Sequence, residues 1–344
     1  MRVAQILAGA PQGGAENMYV RLVKGLNTCE QLQQKAFLRN HEHRVNDLRA
    51  AGVDAEGFRF GGPLNLIDRI SYIRALKKFD PDLVMTWMNR ASGSTPSGKY
   101  ILTSRLGHYY DLKYYRHADY WVGISKGICN HLVNGGMPAN RVFQIPNFAD
   151  ETPVTPISRA SFDTPPDQPI ILAAGRLHVN KAFDTLLKAL QHIPAATLWL
   201  AGAGPEEASL KTLCEDLGLT NRVRFLGWRS DVTTLMASVD LFVCPSRYEG
   251  LGSIVMESWA HQCLIVATNS EGPGEVIEHG VTGLVTPVDE VLPLAAAVNE
   301  MLNNPEQRAE IVAKAFAHYQ AHYAREIIVQ QYSQLYSDLV ARGK

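Results

Sequence analysis

The sequence predicts an α/β protein made of two doubly wound parallel-sheet domains that face a central cleft. Three observations carry this expectation. Short apolar runs such as RVAQILA, YILTS, PIILAAG and LFVCPS are bounded by Gly, Pro, Asp and Ser, as strands buried on both faces are. Helix-compatible stretches such as AENMYVRLVKGL, LIDRISYIRALKK and KAFDTLLKAL separate these runs, as crossover helices would. The alternation breaks at the proline-rich segment DETPVTPISRASFDTPPDQ and then restarts, which marks a linker. The expected domains are therefore 1–150, completed by a terminal helix over 325–344, and 151–324.

The totals agree with two domains of ordinary size. The chain has 344 residues, 46% hydrophobic and 19% charged, enough for two cores. Its formal charge of −1 conceals an asymmetry: residues 1–150 hold 19 Lys and Arg against 12 Asp and Glu, the remainder 14 against 22. A basic first half points to an anionic partner. The helix-compatible RISYIRALKK, with Arg69, Arg74, Lys77 and Lys78, is the stretch expected to touch an anionic membrane surface. Any such contact is peripheral, because no apolar run has transmembrane length. Cys29, Cys129, Cys214, Cys244 and Cys263 are scattered without a C-x-x-C, so a reduced, cytoplasmic chain is expected. No nucleic-acid partner is expected.

In open parallel sheets ligands bind beyond the carboxyl ends of the strands, so the loops there carry the functional information. After the first strand, GAPQGGAEN offers Gly13 and Gly14 ahead of a helix, which suits a close approach of main chain to an anion. It is neither a P-loop nor a dinucleotide fingerprint. In the second half, AAGRLHVNKAF places Arg176 at a strand end and Lys181 at the next helix start. A fork and a point charge at one mouth fit a diphosphate. Gly202 and Gly204 of AGAGPE form a tight packing turn. Gly227 precedes Trp228 and Arg229, where either a nucleotide base or simple packing accounts for the tryptophan.

The stretch PSRYEGLGSIVMESWA (245–260) is the most informative. It reads as a strand end, a loop with Glu249, Gly250, Leu251 and Gly252, then a helix from Ser253 with Glu257 just over one turn in. A carboxylate accepts hydrogen bonds only, so two of them suit the paired hydroxyls of a hexose and a ribose. The main-chain N–H groups between them suit phosphate.

Together the GGAE turn, GRL…K, AGAGPE, FLGW, PSRYEGLGSIVMESWA and GPGEVIEHGVTGLVTPVD resemble the retaining glycosyltransferases of family 4, over nearly the whole chain. That resemblance implies the GT-B fold of two Rossmann-like domains. It also implies transfer of a hexose from a nucleotide sugar, with UDP the favoured carrier, to a bacterial glycan or lipid-linked acceptor such as lipopolysaccharide core. It places Glu249 at the donor sugar, Glu257 at the ribose, Arg176 and Lys181 on the diphosphate, and the amides of Gly14 and Leu251–Ser253 on phosphate and sugar oxygens. It needs no cofactor and no metal. His108, in SRLGHYYDLKYY, is a further catalytic candidate, and Tyr109, Tyr110, Tyr114 and Tyr115 with Arg105, Lys113 and Arg116 form a candidate acceptor surface. Work at the inner face of the membrane follows from such acceptors. The helix after Glu257 departs from the family at Gln262 and Leu264, where relatives usually carry glycine and proline. A GT-B-fold nucleotide-sugar epimerase and a catalytically silent nucleotide-sugar-binding protein are the alternatives; a nicotinamide oxidoreductase is disfavoured, since neither domain carries the glycine fingerprint.

Overall fold

Ile170–Ala174 is aliphatic at every position and buried along nearly its whole length, which only a strand covered on both faces permits. The same pattern recurs along the chain. In the computed structural model, which describes every residue except 12, 62–64, 166, 195 and 252 and the side chain of Asn65, thirteen strands appear among the described residues. They are β1 (Arg2–Leu7), β2 (Gln33–Arg39), β3 (Asp54–Phe58), β4 (Leu83–Trp87), β5 (Ile101–Leu106), β6 (Tyr120–Gly123) and β7 (Val142–Gln144), then β8 (Ile170–Ala174), β9 (Thr197–Ala201), β10 (Val223–Gly227), β11 (Leu241–Cys244), β12 (Leu264–Thr268) and β13 (Leu284–Thr286). The first seven form one sheet in the order β3-β2-β1-β4-β5-β6-β7, and the other six a second in the order β10-β9-β8-β11-β12-β13. Neighbours pair in parallel throughout.

The crossovers in the first sheet are α1 (Gly14–Leu26), α2 (Glu42–Ala50), α3 (Asn65–Phe79), α4 (Met88–Ser94) and α5 (Lys126–Asn134). Those of the second are α6 (Phe183–Leu190), α7 (Glu207–Asp216), α8 (Val232–Met236), α9 (Ser253–Ala260) and α10 (Glu271–Val276), followed by α11 (Val291–Asn303), α12 (Pro305–His322) and α13 (Arg325–Arg342). One compact unit comprises Met1–Phe148 with Ala324–Lys344, the other Ala149–Tyr323. The two long terminal helices therefore part company. Ile311 and Ala315 of α12 are buried in the second unit, whereas Ile328, Tyr332, Tyr336 and Leu339 of α13 join the core of the first.

Two expectations need correction here. The proline-rich segment is not a free linker: Ile157 N–H donates to Ser238 Oγ at 2.9 Å, and the Arg159 guanidinium reaches Asp240 at 2.7 Å and the Gln168 carbonyl at 3.1 Å. It lies along the second unit. Arg105 is not an acceptor-side cation either, since it is only 2% exposed. Its guanidinium stacks on the Trp87 ring at 4.0 Å, donates to Tyr332 Oη at 2.9 Å and bonds Asn147 Oδ1. A charge buried this way is tolerable because it is stacked and hydrogen-bonded at both ends.

Candidate functional site

The order of the second sheet reverses between β8 and β11, the switch point at which α/β sheets open a crevice. The loops that leave those two strands carry Lys181 and Glu249. Lys181 closes a short 3-10 turn, Val179–Lys181, and its Nζ makes an ion pair with Glu249 Oε2 across the switch point. Ser246 Oγ donates to the same carboxylate oxygen at 3.2 Å. The side chains of Lys181 and Glu249 are 26% and 13% exposed, so the pair is half-sheltered yet reachable. Burial alone would lower the Lys181 pKa; the charge of Glu249 outweighs it and holds the ammonium above its ordinary value. Arg176 lies on the same loop, exposed, with no ion pair or hydrogen bond among the described residues. One cation is held and the other is free.

A residue that sequence reasoning passed over braces these loops. Arg247 forms a two-pronged pair with Asp184, at 3.0 and 2.9 Å, while its Nε donates to Asp289 at 2.8 Å and its Nη1 to the Val179 carbonyl at 2.6 Å. Its own N–H donates to Asn180 O at 2.8 Å. One guanidinium thus ties the turn bearing Lys181 to the loop bearing Glu249 and to the first turn of α6. Burial would raise the Asp184 carboxyl, but hydrogen bonds from Arg247 hold it below the usual range.

The packing turn after β9 is under a sharper constraint. Gly202 has φ 155°, and a Cβ there would overlap the Gly175 carbonyl oxygen. Gly202→Ala is expected to cost about 3 kcal/mol or more, through backbone strain and displacement of the Arg176 loop. That is a fall in Tm of roughly 10 °C, read by calorimetry. A wild-type melting temperature would show that the two loops do not approach so closely.

Around the pair, Leu251 is fully buried and anchors the glutamate loop, and the N–H of Gly272 donates to Glu249 O at 2.8 Å. A side chain at Gly272 would overlap the main chain of Gly250, so the GPGE segment packs directly beneath this loop. Ser253 opens α9 and Glu257 sits half-buried within it. Gly252 lies outside the described residues. Gly227 closes β10 with φ 65°, and Trp228 beyond it is 61% exposed, which removes the packing explanation for the tryptophan. Tyr248, beside Glu249, is 63% exposed and was not singled out from sequence. Two exposed aromatic rings at strand ends offer flat faces to a base or a sugar. Among the described residues no group of three His, Cys, Asp or Glu gathers as metal ligands.

The remaining candidates belong to the first unit. Gly13 caps α1 and Gly14 begins it. The following Glu16 is 3% exposed, and its Oε1 accepts from the Ala10 N–H at 2.7 Å. Arg44, 4% exposed, donates to the carbonyls of Ala10 and Pro11 at 3.0 and 2.9 Å. These two side chains hold the glycine turn in shape, a role invisible without the fold. His108 is exposed in the loop after β5, with its ring centroid 6.0 Å from that of Tyr109 and 5.9 Å from that of Tyr110. The aromatic cluster is only partly available: Tyr115 is fully buried with its hydroxyl on Asn89 Oδ1 at 2.6 Å, and Lys113 is paired with Asp111 at 2.7 Å. Tyr114 and Arg116 are exposed.

With this geometry in view, the likeness to known proteins is specific. A family model described as glycosyl transferases group 1 matches residues 154–318. The chain is 32% identical over 326 residues to the lipopolysaccharide core biosynthesis glycosyltransferase LpsE of Rhizobium meliloti (strain 1021), covering 94% of this chain and 95% of that one. It is 31% identical to LpsD of the same organism, covering 99% and 100%. Among solved structures, Anabaena Alr3699/HepE in complex with UDP-glucose superposes with a TM-score of 0.85 at 22% identity, covering 98% of this chain and all of that one. Sucrose-phosphate synthase from Thermosynechococcus elongatus gives 0.83 at 20% over the full length of both chains. Two parallel sheets, a charged switch point in the second and full-length likeness to these enzymes lead to one conclusion: the chain belongs to the group 1 glycosyltransferases and has the GT-B fold.

Proposed function

We propose that the chain is a retaining, metal-independent hexosyltransferase of family 4 that moves a hexose from a nucleotide sugar, a UDP-sugar, to a bacterial glycan or lipid-linked acceptor such as lipopolysaccharide core. The observation that carries the reading is the Lys181–Glu249 pair at the switch point of the second sheet, with Arg176 free beside it. In this reading the diphosphate takes the two cations, Glu249 accepts hydrogen bonds from sugar hydroxyls, and Glu257 does so from the ribose. Gly13, Gly14, Gly227, Gly250, Leu251 and Ser253 present main chain to phosphate, sugar and base. An acceptor hydroxyl attacks the anomeric carbon on the face the diphosphate leaves. The new glycosidic bond forms as the bond from the anomeric carbon to the phosphate oxygen breaks, and the hydroxyl proton passes to the departing phosphate. Lys181 and Arg176 stabilise the charge developing there. His108 is the acceptor-side candidate. Support for the acceptor class comes from the likeness to the lipopolysaccharide core biosynthesis glycosyltransferases LpsE and LpsD, and for the donor from the UDP and UDP-glucose held by HepE. Work in the cytoplasm at the inner face of the membrane completes the reading.

The test is a thermal-shift panel of UDP, GDP and ADP and their hexose conjugates, with and without EDTA. A ligand at a hundred times its Kd adds about 2.7 kcal/mol of stability, a rise of several degrees for a chain of this size. The expected result is a shift with the uridine series alone, unchanged by EDTA. No shift with any series would sink the donor reading, and a shift abolished by EDTA would sink metal independence.

A further inference from the structure

Both hydrogen bonds made to the Glu249 carboxylate fall on one oxygen, Oε2: one from Lys181 Nζ and one from Ser246 Oγ at 3.2 Å. Oε1 takes none among the described residues. The last torsion of a glutamate is broad and roughly two-fold, so a carboxylate keeps one oxygen outward only if something holds the other. Ser246 is placed to hold it. It follows β11, is 1% exposed, and its main-chain carbonyl accepts from Thr268 Oγ1 at 2.5 Å. Thr268 is also 1% exposed and ends the neighbouring strand β12, which pairs with β11 in register up to Cys244 and Ala267. The Ser246 hydroxyl has one proton, and the carboxylate takes it. The Cys244 thiol, 3.6 Å from Ser246 Oγ, therefore donates to that oxygen in turn. Burial, and then the charge of Glu249, pushes the thiol pKa up to about 11, so the thiol keeps its proton.

We propose that Ser246 is a positioning residue for donor-sugar recognition: it pins Glu249 Oε2 so that Oε1 stays turned toward the hexose. The inference rests on the donor reading given above. In that reading the diphosphate takes the Lys181 ammonium, which removes the charged partner of Glu249 as the sugar is bound. Ser246 has no such competing call on its proton, and its main chain is tied to β12. Its bond to Oε2 therefore persists through the exchange. Lys181 can change partners without releasing the carboxylate because a second, buried donor keeps it in place.

Titration calorimetry of the full chain with UDP, GDP and ADP and with the glucose conjugate of each tests it. The sugar's share is the ratio of the nucleotide's Kd to that of its conjugate. Ser246→Ala is expected to lower this ratio by about tenfold, the size of one bond to a charged group, while the bare nucleotide changes by less than about twofold. Ser246→Thr, which keeps the hydroxyl, restores most of the ratio. Thr268→Val keeps the serine but loosens its main chain, and lowers the ratio by roughly threefold. Glu249→Ala separates this inference from the donor reading. If that variant keeps the wild-type ratio, or wild type binds none of these ligands, the donor reading fails and takes the inference with it. If Glu249→Ala lowers the ratio and Ser246→Ala does not, the donor reading stands and the positioning role alone is overturned. Loss of bare-nucleotide binding in Ser246→Ala, or no rescue by Ser246→Thr at a wild-type melting temperature, marks a merely structural serine and overturns it as well.

Discussion

Glu249→Gln and Lys181→Ala are expected to move UDP affinity in opposite directions while both abolish most transfer. The Lys181 ammonium is engaged by Glu249. Neutralising that carboxylate releases the cation and removes a negative charge from beside a phosphate site, worth about 1 kcal/mol at a half-sheltered position. UDP should then bind a few-fold more tightly, as titration calorimetry would show. Removing Lys181 deletes a charge-assisted bond of about 1.5–3 kcal/mol, and UDP should bind roughly ten- to a hundredfold more weakly. Transfer falls in both, by about two to three orders of magnitude in kcat for Lys181→Ala, the size found when one group aimed at developing charge is lost. If both changes weakened UDP equally, the pair would be a structural strut with the diphosphate elsewhere. The pair also has a pH signature. Folding raises the Lys181 pKa above its ordinary 10.5, so its stabilisation is complete below that value and is lost as pH climbs through the higher folded one. The stability gap between wild type and Lys181→Ala should therefore close only in strong alkali.

Arg247→Ala should be the most damaging change at a residue that reaches no proposed substrate group. It removes the two-pronged bond to Asp184, the bond to Asp289 and the tie to Val179. All these partners are partly exposed, so the loss is about 2–3 kcal/mol rather than that of a fully buried pair, and Tm should drop by roughly 5–10 °C. The turn carrying Lys181 is then fixed at its ends alone. A misplacement of about 1 Å at such a site costs roughly a hundredfold in rate, so kcat should fall with UDP affinity much less changed. Arg247→Lys, which cannot fork, should restore part of the Tm and little of the rate. Because folding holds the Asp184 pKa below its ordinary 3.8, this stabilisation is present above that value and disappears as pH falls through the lower folded one. Wild type and Arg247→Ala should accordingly converge in acid. A variant with wild-type kcat would show that the brace is unnecessary to the chemistry.

Strand and helix alternation was legible because parallel strands covered on both faces must be apolar throughout, and runs such as IILAA and LFVC meet that demand without help from distant residues. The loops of the second unit were legible for a related reason: a strand end, a glycine turn and a helix start are local events. Partnerships between distant segments were not. Arg247 meets Asp184 and Asp289 from 63 and 42 positions away, and no spacing rule announces such a meeting. The same limit explains Arg105. In sequence it stands beside a run of tyrosines and reads as part of a surface, yet its strand is buried at every position, and Tyr332 of α13, 227 positions on, meets its guanidinium. Trp228 went the other way, since only its exposure in the fold separates a stacking platform from a packing residue.

The return of α13 to the first unit has a consequence for the order in which the protein is completed. Strands β1 to β7 leave the ribosome first, but the helix that covers Gln5, Arg105 and the inner face of α1 is made only after residues 149–323. At ordinary elongation speeds that interval is on the order of ten seconds or more. Throughout it, the Arg105 guanidinium lacks Tyr332, and the Gln5 amide lacks Tyr336. The half that is born first is finished last, and the side that α13 covers stays open to chaperones or to a neighbouring nascent chain until the second half has already been made.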